Sequence, residues 1–205
     1  MIRNIIFDIG HVLVGFEWES FVRELFDEET ARAVTRAIFE SGYWAELDRG
    51  VLSEEEVLEG FFSAEPNYHD EILEAYEKVG ACVKRRSWVI PWIKSLKQQG
   101  YRIFFLSNYS EQLMRKNPEA LDFLEHMDGG VFSCDVKLLK PDARIYETLL
   151  EKYGLKAEEC LFLDDREDNV LAAQRLGMHA IRFQSEDQAK QDIACRIAHQ
   201  CASAR

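Results

Sequence analysis

Three apolar runs in this chain each end in groups able to do chemistry. N-I-I-F leads to Asp8, R-I-F-F-L to Ser107 and Asn108, and C-L-F-L to Asp164 and Asp165. A fourth group, Lys140, stands at the head of K-P-D. Each has an ordinary explanation alone, since Asp, Ser and Asn are common turn and helix-entry residues. Together they suit one reaction centre. Carboxylates that converge in a cleft repel and raise one another's pKa, and a divalent cation removes that penalty. A donor set of oxygen, without Cys or His, points to Mg2+ rather than zinc. Lys140 by its charge and Ser107 by its hydroxyl can hold a phosphoryl group. A carboxylate facing phosphorus beside a metal is a competent nucleophile, and the intermediate would be an aspartyl-phosphate, split later by water.

The elements that would position these groups alternate along the chain. Residues 4–9 read as a buried parallel strand, apolar at consecutive positions. After residue 86 come a helix with Pro91 near its start and Gly100 past its end, the strand Y-R-I-F-F-L, a weaker helix over Glu111 to Lys116, and the short strand V-F-S-C. A helix closing on Gly154, the strand C-L-F-L-D-D, a helix closing on Gly177 and the strand H-A-I-R-F complete the alternation, with one short helix expected in the tail. Helices between apolar strands require a Rossmann-like parallel sheet of α/β class, whose sites lie at the carboxyl ends of the strands. Residues 16–86 have another character. They are rich in Glu, Phe, Leu and Ala and read as an insert of about four helices, with capping-box spacing at Ser53 to Glu56 and stops at Gly60 and Pro66.

The chain has 205 residues, 47% of them hydrophobic, enough for a substantial core. Its net charge of -12 argues against a nucleic-acid partner. The five cysteines form no CxxC pair, which reads as reduced thiols in a cytoplasmic setting. No window approaches the roughly 18 apolar residues of a membrane span. The expected partner is a small phosphorylated metabolite, and the expected state a monomer or weak dimer.

Four signatures occur in order: F-D-I-G-H-V-L at 7–13, L-S-N at 106–108, L-K-P-D at 139–142 and F-L-D-D-R-E-D-N at 162–169. With them the chain resembles the haloacid dehalogenase-like hydrolase superfamily. The resemblance implies a hydrolase core at 1–15 and 87–205 and a helical cap at 16–86. It implies Asp8 as nucleophile and metal ligand, the Gly10 carbonyl as a second metal contact, and Asp165 as a direct ligand. Asp164 would serve the outer shell, and Asn169 the loop or a metal-bound water. Ser107 would bind phosphate and Lys140 would bridge phosphate and Asp8. Ile9, Gly10 and Asn108 complete the expected phosphate-binding set, and Tyr109 lies beside it.

The departure is at Gly10, where phosphatases of the family usually carry a second aspartate that protonates the leaving oxygen and later activates water. Such catalysis is worth about 10²–10⁴-fold. The D-x-G opening is similar to that of sugar-phosphate phosphatases, including ones acting on glucose 1-phosphate. An anomeric oxygen leaves more easily, so a missing acid costs less there and rates should depend steeply on the leaving group. Installing an aspartate at Gly10 would risk strain if the glycine holds a conformation an aspartate dislikes. His11 has a pKa suited to the missing role, but its side chain is expected to turn into the loop and contact the cap. Phe16, Trp18, Tyr43 and Trp44 are candidates for the cap's hinge or lining, with most aromatics packing the core, and Glu46 too could face the cleft. The function expected is a Mg2+-dependent phosphomonoester hydrolase acting on a small sugar phosphate such as an aldose 1-phosphate. The alternatives are a 2-haloacid dehalogenase-like hydrolase and a catalytically weak phospho-ligand-binding protein.

Overall fold

The strands, in chain order, are β1 (Asn4–Phe7), β2 (Val14–Phe16), β3 (Val83–Arg85), β4 (Arg102–Ser107), β5 (Gly129–Phe132), β6 (Cys160–Asp164) and β7 (His179–Arg182). This is a computed structural model, and it describes residues 1–203. Five strands form a parallel sheet in the order β5-β4-β1-β6-β7. β1 is buried at all its positions because it is central and covered on both faces. Alternate residues supply two cores. Ile5, Phe7, Ile103, Phe105, Leu161 and Leu163 join one, and Ile6, Phe104, Leu106 and Phe162 join the other. The first core continues into the insert through Phe21, Val34, Phe61 and Tyr76.

The insert carries five α-helices: α1 (Trp18–Leu25), α2 (Glu28–Thr35), α3 (Tyr43–Arg49), α4 (Glu54–Ala64) and α5 (His69–Lys78). It is one helix richer than the sequence reading. Asp27 separates α1 from α2, its side chain accepting the backbone N–H groups of Glu29 and Thr30 at 3.0 and 3.1 Å. The capping box that opens α4 is formed, with Ser53 N–H on Glu56 at 2.8 Å and Glu56 N–H on Ser53 at 3.2 Å. Gly60 is no stop: it lies inside α4, where a Cβ would overlap the Tyr43 ring, so the glycine allows close approach of α3. The antiparallel ribbon of β2 and β3, with Val14 opposite Arg85, joins insert to core and was not anticipated, because three-residue strands leave almost no periodicity to read.

The remaining helices are α6 (Val89–Gln98), α7 (Glu111–Lys116), α8 (Ser133–Val136), α9 (Ala143–Tyr153), α10 (Glu167–Arg175) and α11 (Glu186–Ser203). α11 is longer than the short tail helix expected. Among the described residues no helix is long and apolar enough to cross a membrane. Cys82, Cys134, Cys160 and Cys195 are in no disulfide, and the Cys201 side chain lies outside the described residues.

Candidate active site

Register places the reactive groups. Phe7 pairs with Leu163 and Phe105, so Asp8 and Asp164 emerge side by side at the carboxyl edge of the sheet. Asp8 N–H donates to the Leu163 carbonyl at 2.8 Å, which extends the ladder one residue beyond β1. Lys140, 5% exposed, sits between them, its Nζ 2.8 Å from Asp8 Oδ1 and 2.6 Å from Asp164 Oδ2. Asp164 is completely buried, and Asn169 Nδ2 donates to both its oxygens, at 2.9 and 3.0 Å. The Arg166 N–H adds a bond to Asp164 Oδ1 at 2.9 Å. Asp165, half-buried, completes a trio in which Asp8, Asp164 and Asp165 each offer an oxygen within 4.8 Å of the others.

Asn108 clamps Lys140 by its backbone, donating to the Lys140 carbonyl at 3.1 Å and accepting its N–H at 2.8 Å. Its amide is therefore engaged in positioning the lysine. The Ile9 N–H is directed at Asp8 Oδ1, 2.7 Å away. Ser107 Oγ is fully buried and outside hydrogen-bond geometry with any protein atom, though near enough to ease the charge of Asp8 slightly. An orphaned buried hydroxyl is costly and suits a site shaped for a missing oxygen atom.

Burial pushes the Asp8 carboxyl up to about 7; Lys140 opposes this and Asp164 reinforces it. Burial, then Asp164, likewise raises Asp165. Burial works against the charge on Lys140, but Asp8 and Asp164 outweigh it and hold the ammonium above its ordinary range. One ammonium, paired with Asp8 and Asp164, is outnumbered by the three carboxyl groups, so the cluster can hold a divalent cation through oxygen donors alone.

The cleft above this edge measures about 390 Å³. The insert contributes Phe16, Phe39 and Trp44, whose rings lie 5.1–6.0 Å apart. Trp18 stacks on Phe39 at 4.8 Å, outside the lining. Tyr43 packs edge-on to Phe61, and Glu46 pairs with Arg49 at 3.3 Å. His11 has a left-handed backbone, φ 56°, and its exposed ring meets Phe16 edge-on at 6.0 Å. Gly10 has no such conformation, and a Cβ there would meet no atom within 4 Å.

Sequence reasoning missed Asp48. It stands near the end of α3 and lines the cleft together with Asp8 and Lys140. In D-R-G it reads as an ordinary helix end, and only the docking of α3 onto the core turns it inward.

Parallel sheet, inserted helical cap and strand-edge acids together define a hydrolase of one class. The chain matches the haloacid dehalogenase-like hydrolase family over residues 2–177 and belongs to it. It is 27% identical over 173 residues to the sesquiterpene phosphatase astK of Aspergillus oryzae, covering 84% of this chain and 85% of that one. It is 22% identical over 134 residues to (S)-2-haloacid dehalogenase 4A of Burkholderia cepacia, covering 65% of this chain and 56% of that one. The chain spans between 19% and 60% of the length of several other relatives. A predicted HAD-like family hydrolase from Porphyromonas gingivalis has a similar structure, with a TM-score of 0.74 and 26% identity over 95% of this chain and 98% of that one.

Proposed function

We propose that this hydrolase cleaves phosphomonoesters by way of an aspartyl-phosphate on Asp8. The observation that carries the reading is the trio of Asp8, Asp164 and Asp165, two of them paired with Lys140. Asp8, the Gly10 carbonyl and Asp165 would hold Mg2+, which when bound would offset acidic charge and polarise the phosphoryl group. Asp164 is committed to Lys140, Asn169 and Arg166, which suits an outer role that keeps the lysine in place. Ser107 would donate to a phosphate oxygen. Lys140 would bind another while holding Asp8 in line. Asn108 would act through the lysine backbone, and His11, turned toward Phe16, would shape the entrance.

The functional division would fall at the ribbon, with core 1–15 and 87–205 against cap 16–86. Phe16, Phe39 and Trp44 would pack against the leaving group. An aldose 1-phosphate fits such a wall through its C–H face, as does the terpenoid class named for the astK relative.

The other reading, a 2-haloacid dehalogenase-like hydrolase, is supported by the family description and by the relative named (S)-2-haloacid dehalogenase 4A. There Asp8 would attack carbon and displace halide, which needs no protonation, so Gly10 would be no loss. The basic groups lining the cleft are Lys140, His11 and Arg166, none of them from the cap helices. The acidic trio supports the phosphatase reading, since a dehalogenase has little need of a cation.

One experiment separates the two readings. Inorganic phosphate is measured from a panel of sugar, terpenoid and nucleotide phosphates, with Mg2+ or with chelator, and chloride is measured from 2-chloroacids. Phosphate release that requires Mg2+ is the expected result. Chloride release in chelator, with no phosphate release, would replace this reading with the second.

A further inference from the structure

If phosphoryl transfer runs through Asp8, some group must protonate the departing oxygen and later deprotonate water, and position 10 carries no side chain. We propose that Asp48, delivered by the cap, exchanges that proton in place of the acid missing from the nucleophile loop. The inference rests on the phosphomonoesterase reading.

Asp48 lies on the cap wall of the cleft that Asp8 and Lys140 line from the core. Two hydrogen bonds tie its segment to the core. The Asp48 carbonyl accepts the Ser133 hydroxyl at 2.5 Å, and the Ser110 backbone N–H eases the charge of its carboxylate. Two residues on, the Gly50 carbonyl accepts Lys137 Nζ at 2.6 Å. Ser133 Oγ in turn accepts the Tyr109 N–H at 2.9 Å, so the same knot holds the loop that carries Ser107 and Asn108. Asp48 is thus an acid from the cap with a fixed address in the core. Tyr109, whose buried hydroxyl has no hydrogen-bond partner, also lines this cleft.

The other proton carriers in the lining fit less well. Glu40 and His11 are exposed, and His11 is edge-on to Phe16. Asp165 belongs to the acidic trio. Burial, and secondarily the charge of Asp8, raises the Asp48 carboxyl to about 8. This is the direction a proton donor at neutrality needs.

The proton accounting closes. In the first half-reaction an Asp8 oxygen bonds to phosphorus and the bond from phosphorus to the leaving oxygen breaks, its electron pair departing on that oxygen. The Asp48 proton goes to the same oxygen, releasing alcohol and leaving Asp48 a carboxylate. In the second half-reaction water bonds to phosphorus and gives one proton to Asp48. The bond from phosphorus to the Asp8 oxygen breaks and returns its pair to the Asp8 carboxylate, and inorganic phosphate departs. With the role filled, the steep leaving-group dependence expected from the sequence gives way to a shallow one.

The test is kcat/KM over phosphate esters graded by leaving-group pKa, from p-nitrophenyl to primary alkyl, for wild type and Asp48→Asn in Mg2+. Asn keeps the size and one acceptor oxygen but cannot exchange a proton near neutrality. The expected result is a loss of about 10²–10⁴-fold for alkyl esters and a much smaller loss in kcat/KM for p-nitrophenyl phosphate. Phosphoenzyme on Asp8 should accumulate, seen by mass after acid quench, because its hydrolysis also needs Asp48. Gly10→Asp in the D48N background has room for its side chain and should restore the shallow dependence. An equal loss across all esters, or an unchanged slope, would overturn the proposal and leave Asp48 as a structural tie. If wild type releases phosphate from no ester, the phosphomonoesterase reading itself fails, and the inference falls with it.

Discussion

The core and the cap organise their chemistry in opposite ways. In the core, reactive groups sit on the first residues past buried parallel strands, and backbone register alone brings Asp8 beside Asp164. Their partners are short and fixed, with Lys140 between two carboxylates and Asn169 on Asp164. The cap has no such edge. Its helices present an aromatic surface of Phe39 and Trp44 with Asp48 beside it. The contrast teaches that a rigid sheet edge can concentrate charge that would be too costly elsewhere, while a helical insert supplies the shape of the cleft wall.

The sharpest break is at Asp8. Asp8→Asn keeps the size of the side chain, and hydrolysis should fall to background while circular dichroism is unchanged. If D8N still turned over, the strand-edge reading of the core would be wrong. Next, Lys140→Met should cost about 3–5 kcal/mol in urea unfolding, because it leaves buried acids uncompensated. Truncating a cap residue has no such electrostatic penalty, so a K140M protein as stable as wild type would erase the distinction between the regions.

Within the cap the expected effects come from packing. Gly60→Ala forces a methyl into the Tyr43 ring and should destabilise by about 1–3 kcal/mol. Trp44→Ala removes part of the cleft wall, and KM should rise about tenfold with kcat nearly kept, as when about 1.4 kcal/mol of uniform binding is lost. A fall in kcat alone would place Trp44 in the chemistry rather than in selection.

The smallest effect returns to the core. Asp142 opens α9, accepting the Arg144 N–H at 3.0 Å, and hydrogen bonds from Arg144 hold its carboxyl down at about 2. Its folded pKa lies below its unfolded value, so its contribution is present above about 4 and is lost as pH falls through about 2. Asp142→Ala should cost about 1 kcal/mol at pH 7, mainly as a lost cap since the arginine pair is exposed. The gap from wild type should close in melts near pH 2, and a gap unchanged by pH would assign the effect to something other than the charged cap.

Much of the core was legible because apolar runs, glycine-closed helices and strand-end polar groups are local features. The helix at Glu111 to Lys116 and the one closing on Gly154 stand where the spacing places them. Gly60 misled because a glycine that admits a neighbouring ring and one that ends a helix look alike in one dimension. The hydrogen bonds of Ile9 and Asn108 run to Asp8 and to the Lys140 backbone. Asn108 and Lys140 lie 32 residues apart, and a pairing at that distance leaves no local mark.

By itself the sequence determined the alternation of strand and helix, the inserted helical segment, and the identity and order of Asp8, Ser107, Lys140, Asp164 and Asp165. Those follow from periodicity and residue chemistry, which act over a few residues. Tertiary structure decided which acid Lys140 binds most closely, that Gly10 is an open and unstrained position, and that Asp48 lines the same cleft as Asp8. Each of these depends on sheet register or on the docking of α3. Both are set by the summed burial of side chains far apart in sequence, an energy that no local window contains.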